Sequence, residues 1–187
     1  FTLLEAAPCD SAATTTTLTD KLADLGNRLS YAENQLGSDN AQVIRLKQQY
    51  SLLEIRDYLI TKRLGEACGT KPVTVLYFYS NSADCADCDK AGYALSYLHN
   101  TYPSLRVYSF DYHLELGALQ TLINVMKVKD ALPAFVIDGK QQEIAKRVVS
   151  PSGRLAFLLV SDNTWGEGSN IFVVANFKEF YIETFSI

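Results

Sequence analysis

The sequence predicts an α/β protein, in which an antiparallel helical hairpin precedes a central mixed sheet flanked by helices. Three observations predict it. Between residues 18 and 64, apolar side chains step alternately by four and three, the signature of one helical stripe. A short polar break, Gly37-Ser38-Asp39-Asn40, divides that stripe into two arms. After Lys71 the chain turns to short runs rich in β-branched and aromatic residues, alternating with helix-length segments in the order strand, helix, strand, helix, strand.

The bulk numbers bound the function. A chain of 187 residues that is 48% hydrophobic can bury one sizeable core or a core with an accessory module. With a formal net charge of -4 and no dense Lys/Arg stripe, no nucleic-acid partner is expected. No apolar run approaches the roughly 20 residues needed to cross a bilayer. The chain begins at Phe1 without methionine, so Phe1-Thr-Leu-Leu reads either as the end of a leader or membrane tether upstream of residue 1 or as an arbitrary boundary.

Residues 1–17 are expected to be a linker, because Asp10 to Thr17, "DSAATTTT", is small, polar and without periodicity. The hairpin is expected over 18–69. Its first arm carries Leu18, Leu22, Leu25, Leu29, Ala32 and Leu36. The second carries Val43, Leu46, Tyr50, Leu53, Ile60 and Leu64, with Asp57 as its polar interruption. A loop this short makes the arms antiparallel neighbours. That brings Cys9 and Cys68 to one base of the hairpin, where a disulfide is expected, with two free buried cysteines as the alternative. Such a bridge would indicate an oxidising compartment. Ile55, Tyr58 and Leu59 are candidates for a second apolar stripe, through which the hairpin would form a homodimer.

From Lys71 onward, "PVTVLYFYS" (72–80) reads as a central buried strand, apolar on both faces. A helix is expected from about Asp84 to Asn100, a strand over 105–113, a helix over 114–128 and a third strand over 134–139. The tyrosines and phenylalanines at 77–79, 93, 97, 108, 110 and 112 are read as core packing.

The first strand runs into Cys85-Ala86-Asp87-Cys88 at a helix start, and Pro133 stands directly before the third strand. In this combination residues 70–150 resemble the thioredoxin-like family of CxxC thiol:disulfide oxidoreductases. The resemblance implies that Cys85 is the attacking sulfur and Cys88 the resolving thiol, with Pro133 a cis-proline and the backbone of Leu132 pairing with an extended client segment. A helix N-terminus favours a thiolate at the first cysteine, through its unpaired N-H groups and its dipole. The sulfurs carry the electrons, so no cofactor and no metal are expected. The partners would be protein thiol or disulfide clients and a redox protein that regenerates the pair. An extracytoplasmic location, periplasmic, cell-surface or secreted, completes this reading.

The chain departs from the family pattern around the thiols. Asp84 replaces the familiar tryptophan, and Ala86-Asp87 replaces Gly-Pro. With Asp89, these carboxylates suit the start of a helix but oppose a thiolate on Cys85, which argues against a strongly oxidising site. Cys85 and Cys88 also have the spacing of one zinc knuckle, yet Cys9, Cys68, His99 and His113 are isolated, so no metal site is completed. The competing reading is a thioredoxin-fold interaction module in which the cysteines make only a structural bridge. Residues 151–187 are expected to be a β-rich extension that could complete the domain, a hairpin followed by a segment with Phe177, Phe180, Tyr181 and Phe185 that reads as a short closing helix, with a strand as the alternative.

Overall fold

The computed structural model describes residue 9 and residues 12–69, 73–81, 84–101, 105–137, 139–142, 146–149, 155–158, 170–171 and 184–185. The chain forms two compact units, one of residues 1–72 with 108–122 and the other of residues 73–107 with 123–187.

The first unit is built on two helices, α1 (Ala12–Leu36) and α2 (Ala41–Cys68). Helix α1 starts six residues before the expected start of the hairpin at residue 18. Ala12 and Ala13 are strong helix formers, and four threonines without Gly or Pro cost only a few tenths of a kcal/mol each, so the helix extends back through them. The turn between the arms follows from its residues. Gly37 takes the left-handed conformation at φ 81°, and its N-H donates to the carbonyl of Glu33 at 2.9 Å. Asn40 then caps α2, its side-chain oxygen accepting from the Gln42 N-H at 2.8 Å.

Leu29, Ala32 and Val43 form the buried centre of the hairpin seam, with Leu46 and Tyr50 packed against it. Gly26 lets the helices close: a Cβ there would stand 3.3 Å from the Tyr50 ring. The other buried side of α2 departs from the expected pattern. Lys47, Ser51, Glu54, Tyr58, Thr61 and Gly65 step by four and three and are all buried, as is Asp57. A search for apolar periodicity passes over a heptad made largely of polar residues.

Those polar residues explain why 108–122 groups with the hairpin. The Tyr108 hydroxyl donates to Asp57 Oδ2 at 2.8 Å and its ring meets Tyr58 edge-on at 5.7 Å. The Ser109 N-H donates to Glu54 Oε1 at 2.9 Å. Lys47 Nζ lies 2.9 Å from Glu33 and 3.1 Å from Asp111. Tyr58 is thus spent inside the unit, and of the proposed second stripe only Leu59 is broadly exposed.

Strands β1 (Val73–Tyr79), β2 (Leu105–Asp111), β3 (Ala134–Ile137) and β4 (Lys140–Gln142) form a sheet in the order β2-β1-β3-β4, with β1, β3, β4 and Leu105–Val107 of β2 in the second unit. Helix α3 (Cys88–Thr101) makes the crossover from β1 to β2, a connection of the length that parallel neighbours require. Helix α4 (Gly117–Met126) then leads to β3, which pairs antiparallel with β1 in the register Val75↔Ile137 to Phe78↔Ala134. Val75 and Tyr77 share one face of β1, where they pack with Phe135, Ile137 and the α3 residues Ala91, Leu95 and Leu98.

Beyond β4, β5 (Lys146–Val149) and β6 (Leu155–Leu158) form an antiparallel pair. Residues 140–142 and 146–149 thus belong to separate elements, one in the main sheet and one in this pair. Strand β7 (Asn170–Ile171) pairs with β8 (Thr184–Phe185), so residues 184–185 are extended where the end of a closing helix was expected. Their β-branched and aromatic side chains favour that state. The rest of the expected closing helix, with Phe177, Phe180 and Tyr181, lies outside the described residues.

Candidate redox site

The site is assembled at the end of the sheet where β1 finishes. Five consecutive buried residues, Thr74 to Phe78, anchor β1 in the core and hold its end rigidly. From Tyr79 the chain passes through Ser80 to a turn at 84–87, after which α3 begins at Cys88, later than the sequence pattern implies. The carbonyl of Asp87, a favoured residue type for the position before a helix, accepts the Ala91 N-H at 3.0 Å as the first bond of α3, and Cys85 stays in the turn.

Cys85 and Cys88 are joined in a disulfide with their Cα atoms 5.5 Å apart, and the Cys88 N-H reaches the Cys85 carbonyl at 3.4 Å. Cys88 is buried, whereas Cys85 is partly open to solvent. Cys85 is thus the more accessible residue of the two. Pro133 follows from the register. Phe78 pairs with Ala134, so the preceding Pro133 lies level with Tyr79, at the end of β1 that leads into the cysteines. The Leu132–Pro133 peptide is cis; Pro133 is buried and Leu132 half-buried.

The carboxylates divide. Asp84 and Asp89 are exposed, while Asp87 holds Lys90 Nζ at 3.0 Å one helical turn on. That pair puts a cation beside the carboxylate nearest the helix start, and so reduces the opposition to a thiolate expected from three uncompensated aspartates. Both partners are partly exposed, so solvent screens the effect.

Tyr77 was not singled out as a site residue by sequence. Its hydroxyl donates to the carbonyl of Cys88 at 2.6 Å, in a buried contact. Its ring stacks between Tyr79, 5.6 Å away, and Phe135, 5.5 Å away. Burial, and then the charge of Asp89, push the phenol well above its ordinary pKa, so it remains a donor at any working pH. The available signal was its place on the strand: a tyrosine on the face that meets the CxxC helix needs a partner for its hydroxyl. Conversely, Tyr93 and Tyr97, read as core, are exposed on α3.

The remaining sequence-predicted site pair lies in the other unit. Cys9 and Cys68 form a disulfide with Cα atoms 5.6 Å apart, closing a loop of 59 residues. Among the described residues no group of three or more His, Cys, Asp or Glu side chains is arranged to hold a metal ion.

The order of strands and helices in the main sheet, with the cysteine disulfide at the start of α3 and the cis-proline before β3, is that of a thioredoxin-like fold. No family model matches the chain, and no curated protein matches it. Two solved structures are similar to it. Oxidised thioredoxin O2 from Arabidopsis thaliana is 24% identical with a TM-score of 0.33, over 46% of this chain and 72% of that one. Oxidised mitochondrial thioredoxin 3 from Saccharomyces cerevisiae is 21% identical with a TM-score of 0.32, over 44% and 74%.

Proposed function

We propose that the protein is a thiol:disulfide oxidoreductase that exchanges disulfides with protein clients through Cys85 and Cys88. The observation that carries this reading is the asymmetry of the pair: one disulfide at a helix start joins a half-exposed sulfur to a buried one. A client thiolate attacks Cys85 Sγ, the Cys85-Cys88 bond breaks, and Cys88 leaves as a thiolate that takes a proton. A second client thiolate then displaces Cys85 from the mixed disulfide. The client has lost two electrons and two protons, and the pair has gained them. The reverse sequence reduces a client disulfide, and a separate redox partner restores the resting state. Leu132 and Pro133, half-buried and buried at the same end of the sheet, are assigned to aligning the client backbone beside Cys85.

The Cys9-Cys68 bridge supports an oxidising, extracytoplasmic setting as part of this proposal, since such bridges persist chiefly outside the reducing cytosol. A homodimer through the hairpin is proposed on Leu59 of the expected second stripe, with Leu52 two turns away on the same helix face, both exposed.

The test is exchange with a disulfide-bonded peptide and with glutathione, comparing the parent with Cys85→Ser. The parent is expected to turn over, and the variant to lose at least a hundredfold of its rate because the attacked sulfur is gone. Equal rates would refute the assignment. A parent that never exchanges under native conditions would leave the pair as a structural bridge in an interaction module.

A further inference from the structure

The buried hydroxyl of Tyr77 reaches from the sheet to the backbone of Cys88, the first residue of α3. Its acceptor, the carbonyl of Cys88, belongs to the peptide whose N-H is that of Asp89. That N-H is one of the first four of α3, which have no acceptor within their own helix and produce the positive end of its dipole. A short hydrogen bond to a carbonyl draws electron density towards the oxygen and makes the N-H of the same peptide a stronger donor. The ring that supplies the bond is held firmly. It is 4% exposed, stacked on both sides, and one of its neighbours, Phe135, stands two residues from Pro133.

We propose that Tyr77 is a positioning residue for the redox pair, whose hydrogen bond to the Cys88 carbonyl polarises the first turn of α3 and thereby favours the Cys85 thiolate in the reduced protein. The inference rests on the reading of Cys85 as the reactive sulfur. Tyr77 also links the two halves of the site mechanically, because one ring touches the helix start through its hydroxyl and the strand after the cis-proline through its face. It donates a hydrogen bond throughout and is neither oxidised nor reduced.

The experiment is a titration of the Cys85 thiolate in the reduced protein by ultraviolet absorbance, comparing the parent with Tyr77→Phe. Phenylalanine keeps both ring contacts and deletes only the donor. The expected result is an upward shift of the Cys85 titration by about half a pH unit, with about a threefold slower reaction with an alkylating reagent at neutral pH. Ser96→Ala is the control. It removes another hydroxyl bond to an α3 carbonyl, that of Gly92 at 2.9 Å, but one turn further from the cysteines, and it should leave the titration unmoved. A folded Tyr77→Phe protein that titrates with the parent overturns the proposal. Should that variant fail to fold, a fluorotyrosine at position 77, which donates more strongly in the same space, is expected to shift the titration downward, and an unchanged or upward shift overturns the proposal equally. The titration needs no client, so a protein that shows the shift but never exchanges disulfides would sink the proposed function and leave the role of Tyr77 standing.

Discussion

Glu54 should make the stability of the hairpin unit depend on pH in the sense opposite to an ordinary paired carboxylate. The side chain is 2% exposed. Its Oε1 accepts the Ser109 N-H, while its Oε2 has no hydrogen-bond partner. Lys47, two turns earlier on the same buried side of α2, is held by Glu33 and Asp111. On the same helix stand Tyr50 and Asp57, and Tyr108 approaches from β2. Burial above all, with the charge of Asp57 added, raises the Glu54 carboxyl well above its usual range, and the bonds from Ser109 and Tyr50 offset only part of this. The native state therefore keeps a proton that the unfolded chain releases near pH 4.3. Its contribution is complete below that pH and is lost as pH rises towards the raised native value. Within that window the loss runs at up to about 1.4 kcal/mol per pH unit, the limit for one proton. Glu54→Gln has no proton to lose. Urea unfolding of parent and variant from about pH 4.5 to about pH 6.5 cancels the other carboxylates, which the two proteins share. The difference in unfolding free energy should move in favour of glutamine as pH rises. A difference that is flat with pH, or that moves towards the parent, would refute the reasoning.

Two further outcomes concern the same unit. Lys47→Met should cost about 2–3 kcal/mol in urea unfolding, below the usual 3–5 for a broken buried pair because Glu33 and Asp111 retain some water; a cost under about 0.5 kcal/mol would mean that the triad adds nothing. Removing the hairpin-base bridge with Cys9→Ala and Cys68→Ala together should cost up to about 4 kcal/mol, from the entropy of a loop of 59 residues, measured against the oxidised parent; an unchanged midpoint would show that the unfolded chain was not constrained.

The hairpin seam and the redox turn were legible because each is a local pattern. Leu29, Ala32, Val43 and Leu46 follow helical spacing, Gly37 and Asn40 mark the turn between the arms, and Cys85 to Cys88 follows a strand and opens a helix. The bridge between Cys9 and Cys68 follows from the hairpin geometry in the same way. Three things were hidden. The start of α1 was missed because a polar threonine run shows no periodicity, although nothing in it breaks a helix. The buried polar face of α2 was missed because burial of Lys47, Glu54 and Asp57 is tolerable only with partners at 108–111, far away in sequence. The hydrogen bond of Tyr77 to Cys88 was missed for a related reason. A tyrosine in an apolar strand reads as packing until the acceptor for its hydroxyl is known.

The sequence by itself determined the element types, the hairpin turn and the spacing of the two sulfurs, since dihedral preference and side-chain periodicity act over a few residues. Only the tertiary structure decided which cysteine is open to solvent, which carboxylate carries a cation, and which hydroxyl meets the Cys88 carbonyl. Those properties depend on burial and on partners that chain folding brings from elsewhere. A charge or a hydroxyl has no fixed chemistry until its surroundings are set.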